Sequence, residues 1–177
     1  DYLATFNGTM FTEDRAVWHN IDLPERLTKT LPELKKKIEE DYIYETNLDS
    51  DDMVAKNFSE IVQSKKPKFR GALYCKRGFV YNTQNRIADW NNPIANQNYT
   101  IMFPRKFYFN SAMRLRYLQG FKSHEEIIDK FDAEQMPDGS YCSVIHGDNI
   151  STVWDHPFRG KEYYYEEEKL FILKNFL

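Results

Sequence analysis

Charge is sorted along this chain more sharply than any other property. Residues 1 to 64 carry 14 acidic and 7 basic side chains, residues 65 to 122 carry 1 and 12, and residues 123 to 177 carry 12 and 5. The three blocks therefore have formal charges of −7, +11 and −7, which sum to the net charge of −3. A fold of this chain must either bring its acidic ends onto the basic middle or expose a cationic surface.

The basic block is also rich in aromatic residues, which alternate with its lysines and arginines. Three interpretations follow: neutralisation by the acidic flanks, a surface for another protein, or a surface for nucleic acid or anionic lipid. Arginine and aromatic side chains are enriched at the centres of protein contacts. The residues predicted to bind a partner are Lys68, Arg70, Lys76, Arg77, Trp90, Arg105, Lys106, Arg114 and Arg116.

Length and composition predict one soluble domain spanning residues 1 to 177. A chain of this size buries roughly 70% of its unfolded surface, so it needs neither a disulfide nor a structural metal for stability. The mean hydropathy is −0.70, and no apolar run approaches the roughly 20 residues of a spanning helix. We therefore expect a protein that does not span a membrane.

Hydrophobic periodicity predicts helices in the amino-terminal third. A capping-box pattern at residues 30 to 33 precedes a predicted helix over residues 31 to 43. A second helix is predicted over residues 53 to 62, because the acidic residues at 49 to 52 suit a helix amino terminus. Pro67 follows shortly after its end.

Strand patterns begin in the basic block. Residues 69 to 83 predict two short strands around a turn, and residues 99 to 111 predict one or two more. The polar segment 85 to 98 lies between them and is predicted to be a loop. Residues 111 to 120 predict a short helix, and a capping box at Ser123 predicts a further helix through about residue 134.

Turn sequences near the carboxy terminus bracket a strand predicted over residues 140 to 145. The last segment, residues 162 to 177, could be an edge strand or a helix, and its strong β-forming side chains favour the strand. The predicted class is α+β, with amino-terminal helices, a central antiparallel sheet, one further helix and carboxy-terminal strands.

Cysteines and glycosylation sequences bear on the compartment. Cys75 and Cys142 are predicted to be buried thiols, with a disulfide in an oxidising compartment as the alternative. Acceptor sequences for N-linked glycans occur at Asn7, Asn57, Asn98 and Asn149, and they indicate a secreted binding protein as one alternative. An organelle-imported, mitochondrial subunit or a cytoplasmic protein is the favoured interpretation.

One group of side chains has the composition of a metal site. Imidazole and carboxylate ligands occur close together at His146, Asp148, Asp155 and His156. The alternative is that these residues form two turns, which use the same residue types. No metal or other cofactor is expected.

Three short motifs resemble those of ADP-ribosyltransferases. They are Phe69-Arg70-Gly71 on a first predicted strand, Phe109-Asn110-Ser111 on a later strand that runs into a helix, and Glu166-Glu167-Glu168 before an apolar strand. The resemblance implies that Arg70 and Ser111 bind NAD, that Glu168 stabilises the ribosyl cation, and that Glu166 assists. The family's Ser-Thr-Ser motif is reduced here to Asn-Ser-Ala, and the chain stops soon after the glutamates.

Other nucleotide-binding and nucleophile motifs are missing from the sequence. Neither a Gly-x-Gly-x-x-Gly turn, nor a Walker loop, nor a Gly-x-Ser-x-Gly elbow can be placed. The sequence therefore predicts a non-enzymatic binding or assembly domain, an accessory subunit of a larger protein complex. RNA or single-stranded nucleic acid is the alternative ligand, and ADP-ribosyl transfer is the alternative activity.

Overall fold

The computed structural model describes residues 35–36, 39–49, 52–146 and 153–177, and it has the predicted α+β class. Its elements in chain order are β1 Tyr42–Asn47, β2 Met53–Val54, α1 Phe58–Ser64, β3 Gly71–Tyr74, β4 Arg77–Asn82, β5 Ile87–Asn91, β6 Tyr99–Pro104, α2 Arg105–Tyr108, α3 Ser111–Tyr117, a 3₁₀ turn His124–Glu126, α4 Ile127–Lys130, β7 Asp132–Gln135, β8 Tyr141–Ile145, β9 Arg159–Tyr163 and α5 Glu166–Leu173.

The chain divides into two compact units, which are described separately. The smaller unit consists of residues Asp1–Ile43 and Phe103–Gln119, and the larger unit of Tyr44–Met102 and Gly120–Leu177. The folding of residues 1 to 177 as one domain stays a prediction.

The described strands form two mixed sheets instead of one antiparallel sheet. Strand order is β1-β6-β3-β7 in the first sheet and β2-β8-β4-β5-β9 in the second. Strand β3 is antiparallel to β6 and parallel to β7, while β4 is antiparallel to β5 and parallel to β8. The two strands predicted around Lys76 both form, but they pair in different sheets although only Cys75 and Lys76 separate them.

Several predicted boundaries move in the structure. The segment 85 to 98 predicted as a loop contains β5, because Ile87, Ala88 and Trp90 are buried against neighbouring strands. The helix predicted from residue 53 is preceded by β2 and begins only at Phe58. The helix predicted from Ser123 ends at Lys130, where the chain turns into β7.

The predicted carboxy-terminal strand over residues 162 to 177 is wrong beyond Tyr163. Strand β9 ends there, and residues 166 to 173 form α5. Three glutamates occupy the first turn of α5, where the helix dipole favours negative charge, so this end effect outweighs β propensity. The predicted helix over residues 31 to 43 is helical at 35 and 36, but 42 and 43 belong to β1, and most of the rest lies outside the described residues.

The core of the larger unit combines apolar side chains from both sheets and two helices. Fully buried examples are Val62, Leu73, Val80, Ile87 and Ile127. Gly78 lies where β4 and β8 approach closely, since a Cβ at that position would be 2.6 Å from Cε1 of Tyr141. A side chain at residue 78 therefore has no space to occupy.

Asp52 organises a buried polar network in the same unit. Its carboxylate accepts hydrogen bonds from Asn98 Nδ2 at 2.8 Å, Ser143 Oγ at 3.2 Å and the Val144 amide at 3.1 Å. The network connects the segment before β2 with the loop before β6 and with β8. Asn98 is fully buried, so this candidate glycan acceptor is inaccessible in the folded chain.

Both cysteines are free, buried thiols, as favoured from the sequence. Burial raises the pKa of Cys75 to about 12 and also raises the pKa of Cys142. Each thiol therefore stays protonated at neutral pH, which makes it a poor nucleophile.

Candidate functional site

The described part of the smaller unit is built around a cluster of aromatic rings. Phe103 lies 5.4 Å from Tyr108 and 5.1 Å from Tyr117 between ring centroids, and Phe107 lies 5.4 Å from Tyr117. Phe103, Tyr108 and Tyr117 are buried. These rings hold α2 and α3 together and fix the direction in which their cations point.

Helix α3 begins with a side-chain cap and carries an arginine that packs on the aromatic cluster. The Asn110 side chain accepts a hydrogen bond from the Met113 amide at 3.0 Å, as an N-cap residue does. The guanidinium of Arg114 lies over the rings of Phe103 at 4.9 Å and Tyr108 at 4.5 Å. Arg114 therefore packs on the aromatic cluster and is half-buried.

A cavity of about 600 Å³ opens in this unit beside α2. It is lined by Lys35, Asp41, Pro104, Arg105, Lys106, Phe109 and Asn110. Three of these residues are cations and one is an acid, so the lining carries a formal charge of +2. We call it the basic pocket; its chemistry suits a carboxylate or phosphate with an apolar group beside it.

Arg105 is fixed in the wall of the basic pocket. Its amide donates to the Asp41 carbonyl at 2.7 Å, and its Nη2 donates to the Lys35 carbonyl at 3.1 Å. Its guanidinium lies 5.9 Å from the ring centroid of Phe109. A guanidinium held in this way loses little freedom when an anion binds.

Lys106 and Arg116 are the exposed cations of α2 and α3. The Lys106 ammonium lies 5.5 Å from the Phe107 ring centroid. Within the described ranges, neither side chain forms an ion pair with a carboxylate. Both charges are thus available to an external anion.

The basic block behaves differently in the larger unit, where acidic residues that follow it in sequence neutralise part of it. The pairs are Lys65 with Glu134, Lys68 with Asp132 at 3.2 Å, Arg77 with Asp138 at 3.4 Å and Arg86 with Glu162 at 2.8 Å. Ion pairs between residues that the structure describes therefore neutralise at least four of the twelve cations of the block.

Glu162 is the most strongly held of these carboxylates. Arg86 donates to it through Nε at 2.8 Å and Nη2 at 3.0 Å, and Arg159 donates through Nη1 at 2.8 Å. Both guanidinium groups also lie over the Trp154 ring, at 4.3 and 5.2 Å. The hydrogen bond from Arg86 is the largest cause of a lowered pKa for Glu162.

Two other predicted contact residues, Arg70 and Trp90, have structural roles in the larger unit. Arg70 has a φ of 54° and donates to the Lys130 carbonyl from Nε and Nη2, and its guanidinium lies 4.9 Å from the Phe131 ring centroid. Trp90 is only 4% exposed, so its ring is not available to a partner as predicted. Lys76 is half-buried.

The residues of the proposed metal group are not gathered in the described structure. His156 lies 5.3 Å from the Trp90 ring centroid, and its Nδ1 accepts a hydrogen bond from the Phe158 amide. Asp155 pairs with Arg159 at 3.7 Å, and Asp148 lies outside the described residues. Among the residues that are described, His146 included, no group of three potential ligands could hold a metal.

The residues that resemble ADP-ribosyltransferase motifs occupy other elements than the resemblance implies. Ser111 begins α3, and Glu166 and Glu168 lie on a helix, not before a strand. Glu166 pairs with Lys169 at 2.8 Å, and Glu168 pairs with Lys161 at 3.5 Å. ADP-ribosyl transfer stays an alternative from the sequence.

Sequence patterns did not predict five of the seven residues that line the basic pocket as partner-binding residues. Lys35, Asp41 and Phe109 line it, yet Lys35 and Asp41 come from a segment far from the basic block. The signal in the sequence was limited to the adjacent pair Arg105 and Lys106 after a strand-ending proline. Strand pairing across the chain is needed to add the rest.

Comparison with known proteins gives no match: no family model, no curated protein and no solved structure is similar to this chain. In the described ranges, every helix is too short or too polar to cross a bilayer.

Proposed function

We propose that this protein is a non-enzymatic assembly domain, an accessory subunit that binds an acidic segment of another protein in the basic pocket. The observation that carries this proposal is the cavity of about 600 Å³ lined by Lys35, Arg105 and Lys106 next to Phe109. A glutamate or aspartate entering the cavity meets cations, and an adjoining apolar side chain meets the aromatic ring.

Two exposed cations of the smaller unit support an external partner. Lys106 and Arg116 keep exposed charges that no described carboxylate neutralises. Cations that the described part of the fold leaves exposed raise the local positive potential and attract anionic groups, which supports a binding role.

The packing of the aromatic residues favours protein over nucleic acid as the ligand. Single-stranded nucleic acid binds by stacking bases on accessible ring faces. Here Phe103, Tyr108 and Tyr117 are buried against one another, and Tyr99 and Phe131 both pack on Phe121 at 5.7 and 5.3 Å. Most rings of the basic block are consequently used inside the protein.

The test compares matched charge reversals in fluorescence anisotropy. The probes are a labelled poly-glutamate peptide with interspersed leucines and a labelled poly-dT oligonucleotide. We expect the parent chain to bind the peptide, and Lys35→Glu with Lys106→Glu, two cations that line the basic pocket, to weaken it by about 10- to 100-fold, since each charged contact contributes about 1 kcal/mol. Lys66→Glu, which reverses an exposed cation of the larger unit that has no ion pair among the described residues, is the control and should change affinity little.

Two results contradict the proposal. One is equal loss of binding in Lys66→Glu, which would show a net-charge effect without a site. The other is tighter binding of the oligonucleotide than of the peptide, with a steep dependence on salt, which would favour the nucleic-acid alternative. Native mass spectrometry of the protein from its own source then identifies the bound subunit.

A further inference from the structure

The carboxy-terminal helix exposes more apolar surface than a solvated helix normally does. Leu170 and Phe171 are 63% and 74% exposed, and Tyr164 and Leu177, at the two ends of the helix, are 73% and 72% exposed. Single exposed apolar residues are common, but a contiguous group marks an interaction surface. We call the outward side of α5, from Tyr164 to Leu177, the α5 face.

Helical geometry places charges at both ends of the apolar pair. Ile172 is the buried residue of α5, and the opposite side carries Glu167, Leu170, Phe171 and Lys174. These positions follow a spacing of three and four residues, which keeps them on one side. Helical hydrogen bonding continues past α5, since the Lys174 amide donates to the Leu170 carbonyl at 2.9 Å.

The α5 face carries two charged residues, Glu167 and Lys174, that differ in their pairing from the other charged residues of α5. Glu166 and Glu168 pair with Lys169 and Lys161. Glu167 and Lys174 form no ion pair in the described part of the chain. The face therefore carries one free negative and one free positive charge with apolar side chains between them, and its net charge is zero.

This arrangement is complementary to itself. If two copies of α5 pack antiparallel about a point between Leu170 and Phe171, Glu167 of each copy lies opposite Lys174 of the other. The same operation places Leu170 opposite Phe171. We propose that the α5 face is a two-fold dimer interface whose occupant is a second copy of this chain.

A second copy fits better than a strongly charged partner because the α5 face has no net charge. Its negative charge lies at one end and its positive charge at the other, so an antiparallel copy is complementary to it. One helix pair buries less than the roughly 800 Å² per partner of a standard interface, so we expect a weak dimer. Its dissociation constant should lie at about 10 to 100 µM. The inference does not depend on the basic pocket, which lies in the other unit.

The experiment is sedimentation equilibrium of the full chain over concentrations that span this range. We expect Glu167→Lys alone and Lys174→Glu alone to weaken dimerisation by about tenfold or more, because each creates two like-charge contacts. The double variant E167K/K174E restores all opposite charges in the antiparallel arrangement and should recover the parent dissociation constant. Phe171→Ala should remove most dimer without altering the circular dichroism spectrum, since its side chain is exposed.

Three outcomes would overturn the proposal. The first is a parent chain that stays monomeric to about 1 mM, tenfold above the expected range. The second is a double variant that dimerises no better than the single ones. The third is dimerisation that persists in Phe171→Ala with an unchanged constant.

Discussion

Glu162 gives the sharpest quantitative prediction, because one carboxylate joins two guanidinium groups at the edge of the second sheet. Glu162 lies on β9 and pairs with Ala88 of β5, while Arg86 precedes β5 and Arg159 begins β9. Glu162→Gln keeps the shape of the side chain and removes its charge. The substitution therefore tests the ion pairs with little change in packing.

The expected cost follows from the hydrogen bonds that glutamine cannot make. The carboxylate accepts three charge-assisted bonds at 2.8, 3.0 and 2.8 Å and is 9% exposed. Glutamine retains one acceptor oxygen and turns an amide donor towards the second guanidinium. Losing one such bond costs about 1.5 to 3 kcal/mol, and because Arg86 is 40% exposed we expect the lower part, about 2 kcal/mol.

The stabilisation that Glu162 provides should depend on pH in a defined direction. The folded-state pKa of Glu162 is lowered, so its contribution to stability is present above the unfolded pKa of about 4.3 and is lost as pH falls through the folded value. The difference in unfolding free energy between parent and Glu162→Gln should be full at neutral pH. It should begin to shrink as pH falls below the unfolded pKa and approach zero only below the lowered folded-state pKa, where the folded parent is also neutral.

Urea unfolding followed by tryptophan fluorescence measures this difference, since Trp154 stacks on both arginines. A loss of about 2 kcal/mol also lowers the melting temperature by roughly 4 to 8 °C for a chain of this size. Glu125→Gln, at an exposed position without an ion pair among the described residues, is the matched control and should cost under about 0.5 kcal/mol. Equal destabilisation by Glu162→Gln at neutral and acidic pH would refute the electrostatic explanation.

Three further predictions concern the core of the larger unit. Gly78→Ala should lower the free energy of unfolding in urea by roughly 3 kcal/mol, because the new Cβ meets Tyr141. Gly120→Ala, where φ is +82° and the nearest side-chain atom is 3.8 Å away, should lower it by only about 1 to 2 kcal/mol. Equal costs for the two variants would contradict the steric argument. Cys75 should resist a thiol reagent at mildly alkaline pH in the folded chain and react fully in denaturant, and fast native labelling would contradict its burial and its pKa of about 12. Asp52→Ala should cost roughly 3 kcal/mol because it leaves buried donors unsatisfied, and a thermal shift under about 2 °C would contradict that.

Local sequence signals predicted those elements whose ends are marked by capping or turn residues. Helix α3 was predicted from its start at Ser111, where the Asn110 cap forms, and β8 was predicted between its turns. Strand β5 was missed because its asparagine-rich surroundings look like a loop, although β4 and β9 pair with it on both sides. Tertiary pairing of this kind leaves no mark on the segment itself.

The distribution of charge along the sequence predicted only part of the ion pairing of the basic block and of the candidate site. Neutralisation by the acidic flanks was one of three interpretations, and Asp132, Glu134 and Asp138, from the region of β7, provide part of it. Which lysines pair depends on the parallel register of β3 and β7, and register cannot be obtained from charge counts. The α5 face was missed because the helix was predicted as a strand.

The short connection from β3 to β4 constrains how this protein can change over time. Side chains alternate sides along a strand, so adding one residue between Tyr74 and Arg77 would exchange inside and outside for every position of one strand relative to the other. Insertions in descendants of this chain should accordingly accumulate elsewhere. Because the connection is so short, one sheet cannot unfold without displacing a strand of the other. We therefore expect the two sheets to unfold together in a single cooperative transition.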